Sequence, residues 1–426
     1  MLGVRGCPLA FLDQGSLKPS GVAVLLLAAV ACNRQPAAKI SFEPAPRAVL
    51  AKVGLTNSRD ASLAVSSSGT LGLLTTYSDL SGNHVGYAMS HNGGDTFMPV
   101  VPVSQPGAKV SSHGENAPRL TSVATMTYAL WEQRSPKGAS ELVVARSLDY
   151  GHSFQKPVLV TGDESPGFHG FSSLGVSPAG DVYVVWLDAR DASRQADTFA
   201  LYIARSSDQG ATFEKPHRVA LSACPCCRPA IAFGPKGEVF LGWRKVFGDN
   251  IRDLAFSVSR DAGETFAPEV RVADDGWHLN GCPDSGPGLT VRGNRIYVAW
   301  LTEGREQKAR IHLSWSDDQG KSFHAPVRAS GDVLDANHPT LKTSEDGRTM
   351  LAFQGREPNS QKGWGQVRIF LSEIRGDDFS PPEAIPTDGS SSYPALGLGT
   401  AGRVFLAWTS SGDQSSNVQL LRTRAQ

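Results

Sequence analysis

Apolar and polar residues alternate with a period of two along most of the chain, and this pattern predicts β-strands rather than helices. The clearest strands are short β-branched and aromatic runs that end in tryptophan: Val182–Trp186, Val239–Trp243, Ile296–Trp300 and Val404–Trp408. Weaker copies lie at Leu71–Tyr77, Thr127–Trp131 and Met350–Phe353. We therefore predict an all-β chain with no helix longer than one turn.

These strands recur at a regular distance along the chain. Their last aromatic residues stand at positions 77, 131, 186, 243, 300, 353 and 408. A fixed period of this length indicates a repeat architecture in which each repeat forms one small sheet. The count predicts seven repeats.

A second motif, Ser-x-Asp-x-Gly-x-Ser/Thr-Phe, follows the strands. Four full copies end at Phe154, Phe213, Phe266 and Phe323, while Ser90–Phe97 has Asn92 and Ser372–Phe379 has Ile374 in place of the aspartate. Asp or Asn accepts backbone N–H bonds in a tight turn, and glycine supplies a positive φ. We predict that these turns are structural and carry no chemistry.

The motif resembles the Asp-box (BNR) repeat of the sialidase-like β-propellers, and the resemblance covers almost the whole chain after residue 40. It implies a β-propeller of four-stranded antiparallel blades, and the repeat count predicts seven blades, whereas catalytic sialidases have six. The seventh repeat lacks a box and a fourth strand, and residues 41–49 resemble the box tails at 265–272 and 322–329. We therefore expect the last blade to be closed by the N-terminal strand, which would remove exposed sheet edges.

The N-terminus has the features of an export signal. Arg5 and Lys18 precede the apolar run 22–31, which is too short to span a membrane. The run ends at Cys32 in a sequence that resembles a bacterial lipobox, with Ala29 where leucine is usual. The prediction is a lipoprotein-type signal peptide at residues 1–31, lipidation at Cys32, a lipid-proximal tether at 32–39, and a single propeller at 40–426. Ordinary signal cleavage just before Cys32 is the alternative, and both place the protein outside the cytoplasm, in the periplasm or at the outer membrane.

Composition narrows the range of partners. The chain has 41 basic and 41 acidic residues, so its charge gives no reason to expect a nucleic acid ligand. Its 44 glycines and 27 prolines are typical of a β protein with many turns. We expect a monomer that binds a small molecule or glycan and contacts the membrane only through its lipid.

In the family that the chain resembles, the segments leading into each first strand meet at one end of the central axis. Loops held on one end of a rigid scaffold are where binding groups are expected. The resemblance therefore predicts one pocket that gathers four of the ten histidines and the four cysteines outside the export segment.

The four cysteines, Cys224, Cys226, Cys227 and Cys282, fall at equivalent positions of neighbouring repeats. One interpretation is one or two disulfides that join the repeats. A second is a soft-metal site for copper or zinc, because these ions prefer thiolate and imidazole ligands; by topology, the nearest histidines are His278 and His338. A reactive catalytic thiol is a third.

The resemblance also implies glycoside hydrolysis. Sialidases clamp a carboxylate with three arginines, whose planar forks bind at two points, and use a tyrosine nucleophile with an aspartic acid. The corresponding candidates here are Arg59, Asp60 and Tyr393 for catalysis, with Glu115 and Asp188 as further acids, and Arg134, Asp188, Arg190, Arg244 and Arg356 for ligand binding. The family's Phe/Tyr-Arg-Ile-Pro opening is absent, and residues 57–60 stand in its place.

Three functions follow from these observations. The protein is a glycosidase acting on sialic-acid-like acidic sugars, a copper- or zinc-binding protein that uses the cysteine and histidine cluster, or a non-catalytic scaffold.

Overall fold

The alternating apolar pattern forms strands throughout the described part of the chain. The computed structural model describes residues 40–43, 47, 57–162, 167–193, 198–358, 365–387, 389–399, 402–412 and 415–424. Within these residues the helices are single 3₁₀ turns, Gly114–Asn116 and Gly248–Asn250, and none of them is long and apolar enough to cross a membrane. The all-β prediction is confirmed. The predicted signal peptide, Cys32 and the tether lie outside the described residues.

The first two sheets are built from consecutive antiparallel strands. The first contains β1 (Ser58–Val65), β2 (Leu71–Asp79), β3 (Gly82–Ser90) and β4 (Val101–Pro102) in that order. The second contains β5 (Lys109–Ser111), β6 (Arg119–Val123), β7 (Met126–Arg134), β8 (Ser140–Ser147) and β9 (Val158–Leu159), with β5 and β6 both paired to β7.

The third sheet has eight strands and joins two four-stranded units. Its strands are β10 (His169–Val176), β11 (Val182–Ser193), β12 (Thr198–Ser206), β13 (His217–Ala223), β14 (Ala230–Phe233), β15 (Val239–Phe247), β16 (Ile251–Ser259) and β17 (Val270–Arg271). The units meet because β13 extends far enough for Ala223 to pair with Lys245. The backbone N–H of Cys224 continues this contact by donating to the Arg244 carbonyl at 2.9 Å.

The last three sheets complete the chain. The fourth contains β18 (Gly288–Arg292), β19 (Arg295–Thr302), β20 (Arg310–Ser316) and β21 (Val327–Arg328). The fifth contains β22 (Leu334–Thr343), β23 (Thr349–Arg356), β24 (Arg368–Arg375), β25 (Asp378–Phe379) and β26 (Glu383–Ala384). The sixth contains β27 (Ser390–Leu398), β28 (Val404–Ser411) and β29 (Ser416–Arg422). The described chain thus forms six sheets, where the repeat count predicts seven.

The core lies between neighbouring sheets. The tryptophans of the second strands are fully buried: Trp131, Trp186, Trp243, Trp300 and Trp408. Tyr87 of the first sheet shares one apolar cluster with Trp131 of the second. Leu71 of the first sheet shares another with Phe405 and Leu420 of the last sheet, so buried apolar contact joins the first and last sheets.

The first strands of successive units contact one another in a cycle. These strands are β1, β6, β10, β14, β18, β22 and β27; each contacts the next, and β27 contacts β1. They therefore surround a common axis.

The N-terminal segment pairs with the last strand. Phe42 pairs with Thr423 and Arg47 with Leu420, both antiparallel. The Arg422 guanidinium also donates to the Glu43 carboxylate at 2.7 Å. The segment therefore lies along the free edge of β29.

The repeated turns have the predicted geometry. In the copy at Ser206, the Ser206 hydroxyl donates to the Asp208 carboxylate at 2.7 Å and accepts the Gly210 N–H at 2.8 Å. Asp208 also accepts the Thr212 N–H at 3.0 Å, and Gly210 has a φ of 76°. The copies at Ser90, Ser147, Ser259 and Ser316 repeat these bonds.

Four of the turns pack against an aromatic residue of the preceding unit. A Cβ at Gly320 would overlap the Phe256 ring, and one at Gly151 would overlap the Tyr87 ring. These turns lie at the end of the sheet opposite to the start of the first strand. Ser58, the first residue of β1, pairs with Tyr77, whereas Ser90, the first residue of the turn, pairs with Leu71 at the other end of β2.

Candidate active site on the axis

Four first strands share one irregularity near their start. The pairing register shifts there, and Asp60, Phe171, His338 and Tyr393 have positive φ values of 58°, 49°, 51° and 54°. This backbone costs a non-glycine residue about 1–3 kcal/mol and often occurs at functional sites. Three of these four residues, Asp60, His338 and Tyr393, line a cavity on the axis that the first strands surround, called the axial cavity below.

The axial cavity is the space enclosed at the start of the seven first strands. Its volume is about 160 Å³, and its titratable lining consists of Asp60, Glu115, Arg119, Arg228, His338, Lys342 and Tyr393.

Glu115 anchors the charged groups of the cavity. Its side chain is buried, with 4% of the residue exposed, and one carboxylate oxygen accepts a hydrogen bond from His338 Nδ1 at 2.7 Å. Burial opposes ionisation, but the His338 hydrogen bond and the charge of Arg228, 3.4 Å away, hold the pKa of Glu115 at about 2. Glu115 is thus ionised at neutral pH and keeps a proton on His338 Nδ1, which leaves Nε2 free to meet a ligand.

Asp60 is the second buried carboxyl group, with 3% exposed. It accepts hydrogen bonds from the Ser112 hydroxyl at 2.6 Å and the Gly114 N–H at 3.1 Å. Burial nevertheless raises its pKa, against the lowering effects of these bonds and of Arg59. A buried carboxyl group with a raised pKa is better suited to act as a general acid than an exposed one.

Tyr393 packs beside His338, with ring centroids 4.5 Å apart. Burial and the negative charges of Asp284, Glu115 and Asp60 raise the pKa of Tyr393 to about 12, so its phenol is protonated at neutral pH. Gly114 has a φ of 32°, and a Cβ there would overlap the Tyr393 ring, so the ring's position requires glycine.

Three cations converge in the same space. Burial, reinforced by the charge of Arg228, lowers the pKa of Arg119 to about 9. Burial also lowers the pKa of Lys342, and Arg228 and Arg119 add to the effect. Mutual repulsion between these cations makes the cavity favourable for an anion.

The four cysteines come together outside the lining of the cavity. Cys226 and Cys282 form a disulfide with Cα atoms 6.2 Å apart, while Cys224 and Cys227 are free and buried. The Sγ atoms of Cys224 and Cys227 are 3.7 Å apart, and each is 3.9 Å from Cys226 Sγ.

Two arginines flank this cluster. Arg252 Nη1 donates to Cys224 Sγ at 3.0 Å. A hydrogen bond from Cys227, helped by the charges of Arg244 and Arg252, lowers the pKa of Cys224 to about 6, whereas burial raises that of Cys227.

The structure does not bring the predicted metal-binding histidines to the cysteines. The described side chains close enough together to share an ion are Cys224, Cys226 and Cys227. His278 is exposed on the segment that pairs with Ile251, and His338 lies in the axial cavity.

The predicted ligand-binding arginines and Arg59, which was predicted to be catalytic, lie outside the lining of the cavity. Arg59 bonds to Ser78 and Asn83, exposed Arg134 lies 3.8 Å from Glu132, and Arg356 pairs with Asp335.

Two more of the predicted binding residues stabilise each other. Arg190 Nε donates to the fully buried Asp188 carboxylate at 2.9 Å, and the Trp186 indole donates to the same carboxylate at 2.8 Å. Buried Arg244 donates to the carbonyls of Arg252 and Leu301. These residues therefore hold strands and loops together.

The cavity arginines, Arg119 and Arg228, were missed as binding residues, although a sequence signal existed for one of them. Each first strand presents a leucine or isoleucine to the cavity, and the residue three positions earlier often lines it as well. Counting back from Leu63, Leu174, Ile231, Leu341 and Leu396 gives Asp60, Phe171, Arg228, His338 and Tyr393. This register would have selected Arg228, whereas Arg119 and Lys342 carry no such signal.

No protein-family model matches the chain, and no curated protein matches it. Among solved structures, polysaccharide lyase Uly1 is similar with a TM-score of 0.53 and 12% identity, covering 86% of this chain and 90% of that one. An α-L-arabinofuranosidase from Fusarium graminearum, bound to an iminosugar inhibitor, has a TM-score of 0.52 and 17% identity, covering 79% and 96%. A protein of unknown function from Dyadobacter fermentans has a TM-score of 0.51 and 16% identity, covering 87% and 95%. At these identities the likeness concerns the fold.

Proposed function

We propose that the chain is a seven-bladed β-propeller whose last blade is completed by the N-terminal strand. The cyclic contact of the seven first strands supports the count. The eight-stranded sheet divides into two blades at the single pair Ala223–Lys245. The pairing of Arg47 with Leu420 supports the closure.

We further propose that the axial cavity binds the carboxylate end of an acidic sugar. The observation that carries this is the convergence of Arg119, Arg228 and Lys342, three cations that share the Glu115 carboxylate, so that positive charge is left over for an entering anion. Arginine and lysine together supply both directed hydrogen bonds and charge for a carboxylate. The two named carbohydrate-active enzymes among the similar structures are consistent with a sugar ligand.

The groups beside the cations suit cleavage of such a sugar. The raised pKa of Asp60 favours the protonated form, which can give its proton to a leaving oxygen, and Glu115 orients His338 so that Nε2 can accept one. Tyr393 is protonated and can donate a hydrogen bond, but it would have to lose its proton before it attacked as a nucleophile. This arrangement serves both hydrolysis and proton abstraction next to a carboxylate.

Binding is tested with sialic acid, glucuronate and neutral glucose by calorimetry. We expect the two acids to bind and glucose to fail. Lys342→Met should weaken binding of the acids at least tenfold, because it removes one converging charge. The matched control is Arg134→Gln, which changes an exposed arginine outside the cavity. Equal behaviour of acidic and neutral sugars, or no binding at all, would reject the proposal and favour a scaffold.

Cleavage is tested separately with a fluorogenic sialoside and with a uronate-containing polysaccharide. Fluorophore release that Asp60→Asn and Tyr393→Phe abolish would identify a hydrolase. An unsaturated uronate product, followed by its ultraviolet absorbance and lost in His338→Ala, would identify a lyase. Binding without either product would leave a sugar-binding protein and reject catalysis.

We also propose that the protein is anchored in the bacterial envelope through Cys32. The support is the run of small residues that ends at this cysteine. Cys32→Ser should prevent incorporation of labelled fatty acid and release the protein from membranes. Unchanged labelling in the variant would contradict the proposal.

A further inference from the structure

The four clustered cysteines form a site that the proposed sugar pocket does not use. We propose that, once the Cys226–Cys282 disulfide is reduced, Cys224, Cys226, Cys227 and Cys282 bind a thiophilic d¹⁰ ion, Zn²⁺ or Cu⁺, through four thiolates. The proposal is independent of whether the axial cavity binds a sugar.

The first support is the spacing of the sulfurs. The Sγ atoms of Cys224, Cys226 and Cys227 are 3.7–3.9 Å apart in every pair. Zn–S bonds of about 2.3 Å in a tetrahedron separate the sulfurs by about 3.8 Å. The three sulfurs thus match one face of such a tetrahedron, and Cys282, which is bonded to Cys226, supplies the fourth corner when the disulfide opens.

The second support is an excess of buried positive charge. Arg244 is 1% exposed, its Nε has no hydrogen-bond acceptor, and its other nitrogens donate to backbone carbonyls. No described carboxylate forms an ion pair with Arg244, and a buried cation without an anion is costly. Arg252 places a second guanidinium directly on Cys224 Sγ. Four thiolates around Zn²⁺ carry a net charge of about −2, which would compensate the buried charge of Arg244.

The third support is the surroundings of the ligands. The backbone N–H of Ser285 donates to Cys227, and Arg252 donates to Cys224. Such outer donors orient the ligands of metal sites. Cys282 is exposed while the other three sulfurs are buried, so an ion and a reductant can reach the cluster from one side.

The chemistry balances with an external dithiol as reductant. The dithiol gives two electrons and two protons to the Cys226–Cys282 disulfide and becomes a disulfide itself. Binding of the ion then releases the thiol protons to solvent as the sulfurs become thiolates.

The cluster is tied to the axial cavity by the chain. Cys227 directly precedes Arg228, whose guanidinium faces Glu115. Ser285 lies three residues after Cys282, and its hydroxyl accepts a hydrogen bond from the backbone N–H of His338 at 3.1 Å. A bound ion would therefore fix the two loops that position Arg228 and His338.

The test uses the full chain, purified without chelator and reduced anaerobically with a dithiol. Elemental analysis should find close to one equivalent of zinc or copper, and the ion found identifies the native metal. After the metal is removed, Co²⁺ should give the sulfur-to-metal charge-transfer bands of a tetrahedral thiolate site, and Zn²⁺ or Cu⁺ should displace it. This readout needs no variant, so a folding defect cannot obscure it.

Variants then identify the ligands. Cys227→Ser should abolish or blue-shift the Co²⁺ bands, and His278→Ala, which changes an exposed neighbour outside the cluster, should leave them unchanged. Reduced wild-type protein that takes up no Co²⁺, Zn²⁺ or Cu⁺ would overturn the proposal and leave a disulfide only. Loss of the bands in His278→Ala would overturn the all-cysteine ligand set.

Discussion

Two features of the molecule are repeated: the Ser-x-Asp-x-Gly turns and the bulges near the start of four first strands. They differ in what each copy keeps. The turns keep their side chains: a serine, an aspartate or asparagine and a glycine make the same bonds in five copies. The bulges keep their backbone, with positive φ at Asp60, Phe171, His338 and Tyr393, while the side chain changes each time. Constant side chains indicate a scaffold, whereas a constant backbone with varied side chains builds a surface for a ligand.

The pKa values of two carboxyl groups, Asp208 and Glu115, illustrate this difference. Hydrogen bonds from Thr212 lower the pKa of Asp208 to about 2 on an exposed turn. Glu115 has the same pKa of about 2, but it is buried and owes it to His338 and Arg228 against the effect of burial. Equal pKa values therefore arise from a local turn in one region and from contacts between distant sheets in the other.

The largest expected effect comes from breaking a turn. Gly320→Ala combines a φ of 81° with overlap of the new Cβ and the Phe256 ring. We expect the free energy of unfolding to fall by about 2–5 kcal/mol, the sum of backbone strain and overpacking. Urea and thermal unfolding followed by circular dichroism measure the change.

The matched control is Gly376→Ala in the divergent copy. Gly376 has a φ of 66°, but a Cβ there would meet nothing within 4 Å. We expect only the strain, about 1 kcal/mol. Equal losses in the two variants would show that the turns do not stabilise the contacts between units through packing.

The second effect comes from removing the buried carboxylate. Glu115→Gln leaves His338 and Arg228 without their anion, and we expect a loss of about 3 kcal/mol at pH 7. Because the folded pKa of about 2 lies below the ordinary 4.5, this stability is present above pH 4.5 and is lost as the pH falls towards 2. The difference between wild type and variant should shrink over this range in thermal unfolding scans. A pH-independent difference would contradict the ionic role of Glu115.

The sequence predicted the turns, where side chains repeat, and among the cavity residues it named Asp60, His338 and Tyr393 but not Arg119, Arg228 or Lys342. The turns at Asp208 and its copies follow from local hydrogen bonding, so their geometry could be read directly. Arg119 and Lys342 could not be identified, because their proximity depends on how β6 and β22 meet across the axis. Arg190 is the opposite case. It was predicted to bind a ligand, but a local hydrogen bond to Asp188 holds its side chain.

A smaller effect, of opposite sign, is expected at Asp60. Burial raises the pKa of Asp60, so the folded state favours the neutral form, and ionisation at higher pH costs stability. Asp60→Asn keeps an acceptor for the Gly114 N–H and removes that cost. We expect a higher melting temperature at pH 7, corresponding to less than about 1 kcal/mol, and no difference near pH 3. A variant less stable than wild type at pH 7 would mean that Asp60 is held as a carboxylate.

The smallest effect is expected at Asp208, and the chain itself contains the comparison. In the first copy Asn92 takes the aspartate position, accepts the Ser90 hydroxyl at 2.8 Å and the Thr96 N–H at 3.0 Å, and donates to the Thr96 hydroxyl at 2.9 Å. Asp208→Asn can make the same bonds, and water screens the lost charge. We expect a loss of about 0.5 kcal/mol or less at pH 7.

This residual loss has a defined pH dependence. The folded pKa of Asp208, about 2, lies below the ordinary 3.8, so the carboxylate stabilises the turn above pH 3.8 and ceases to do so as the pH falls towards 2. The two proteins should therefore unfold at the same temperature near pH 2. The reverse substitution, Asn92→Asp, should gain stability above pH 3.8 only. A loss above about 2 kcal/mol in Asp208→Asn would mean that the turns depend on their charge, and the contrast with Glu115 would then disappear.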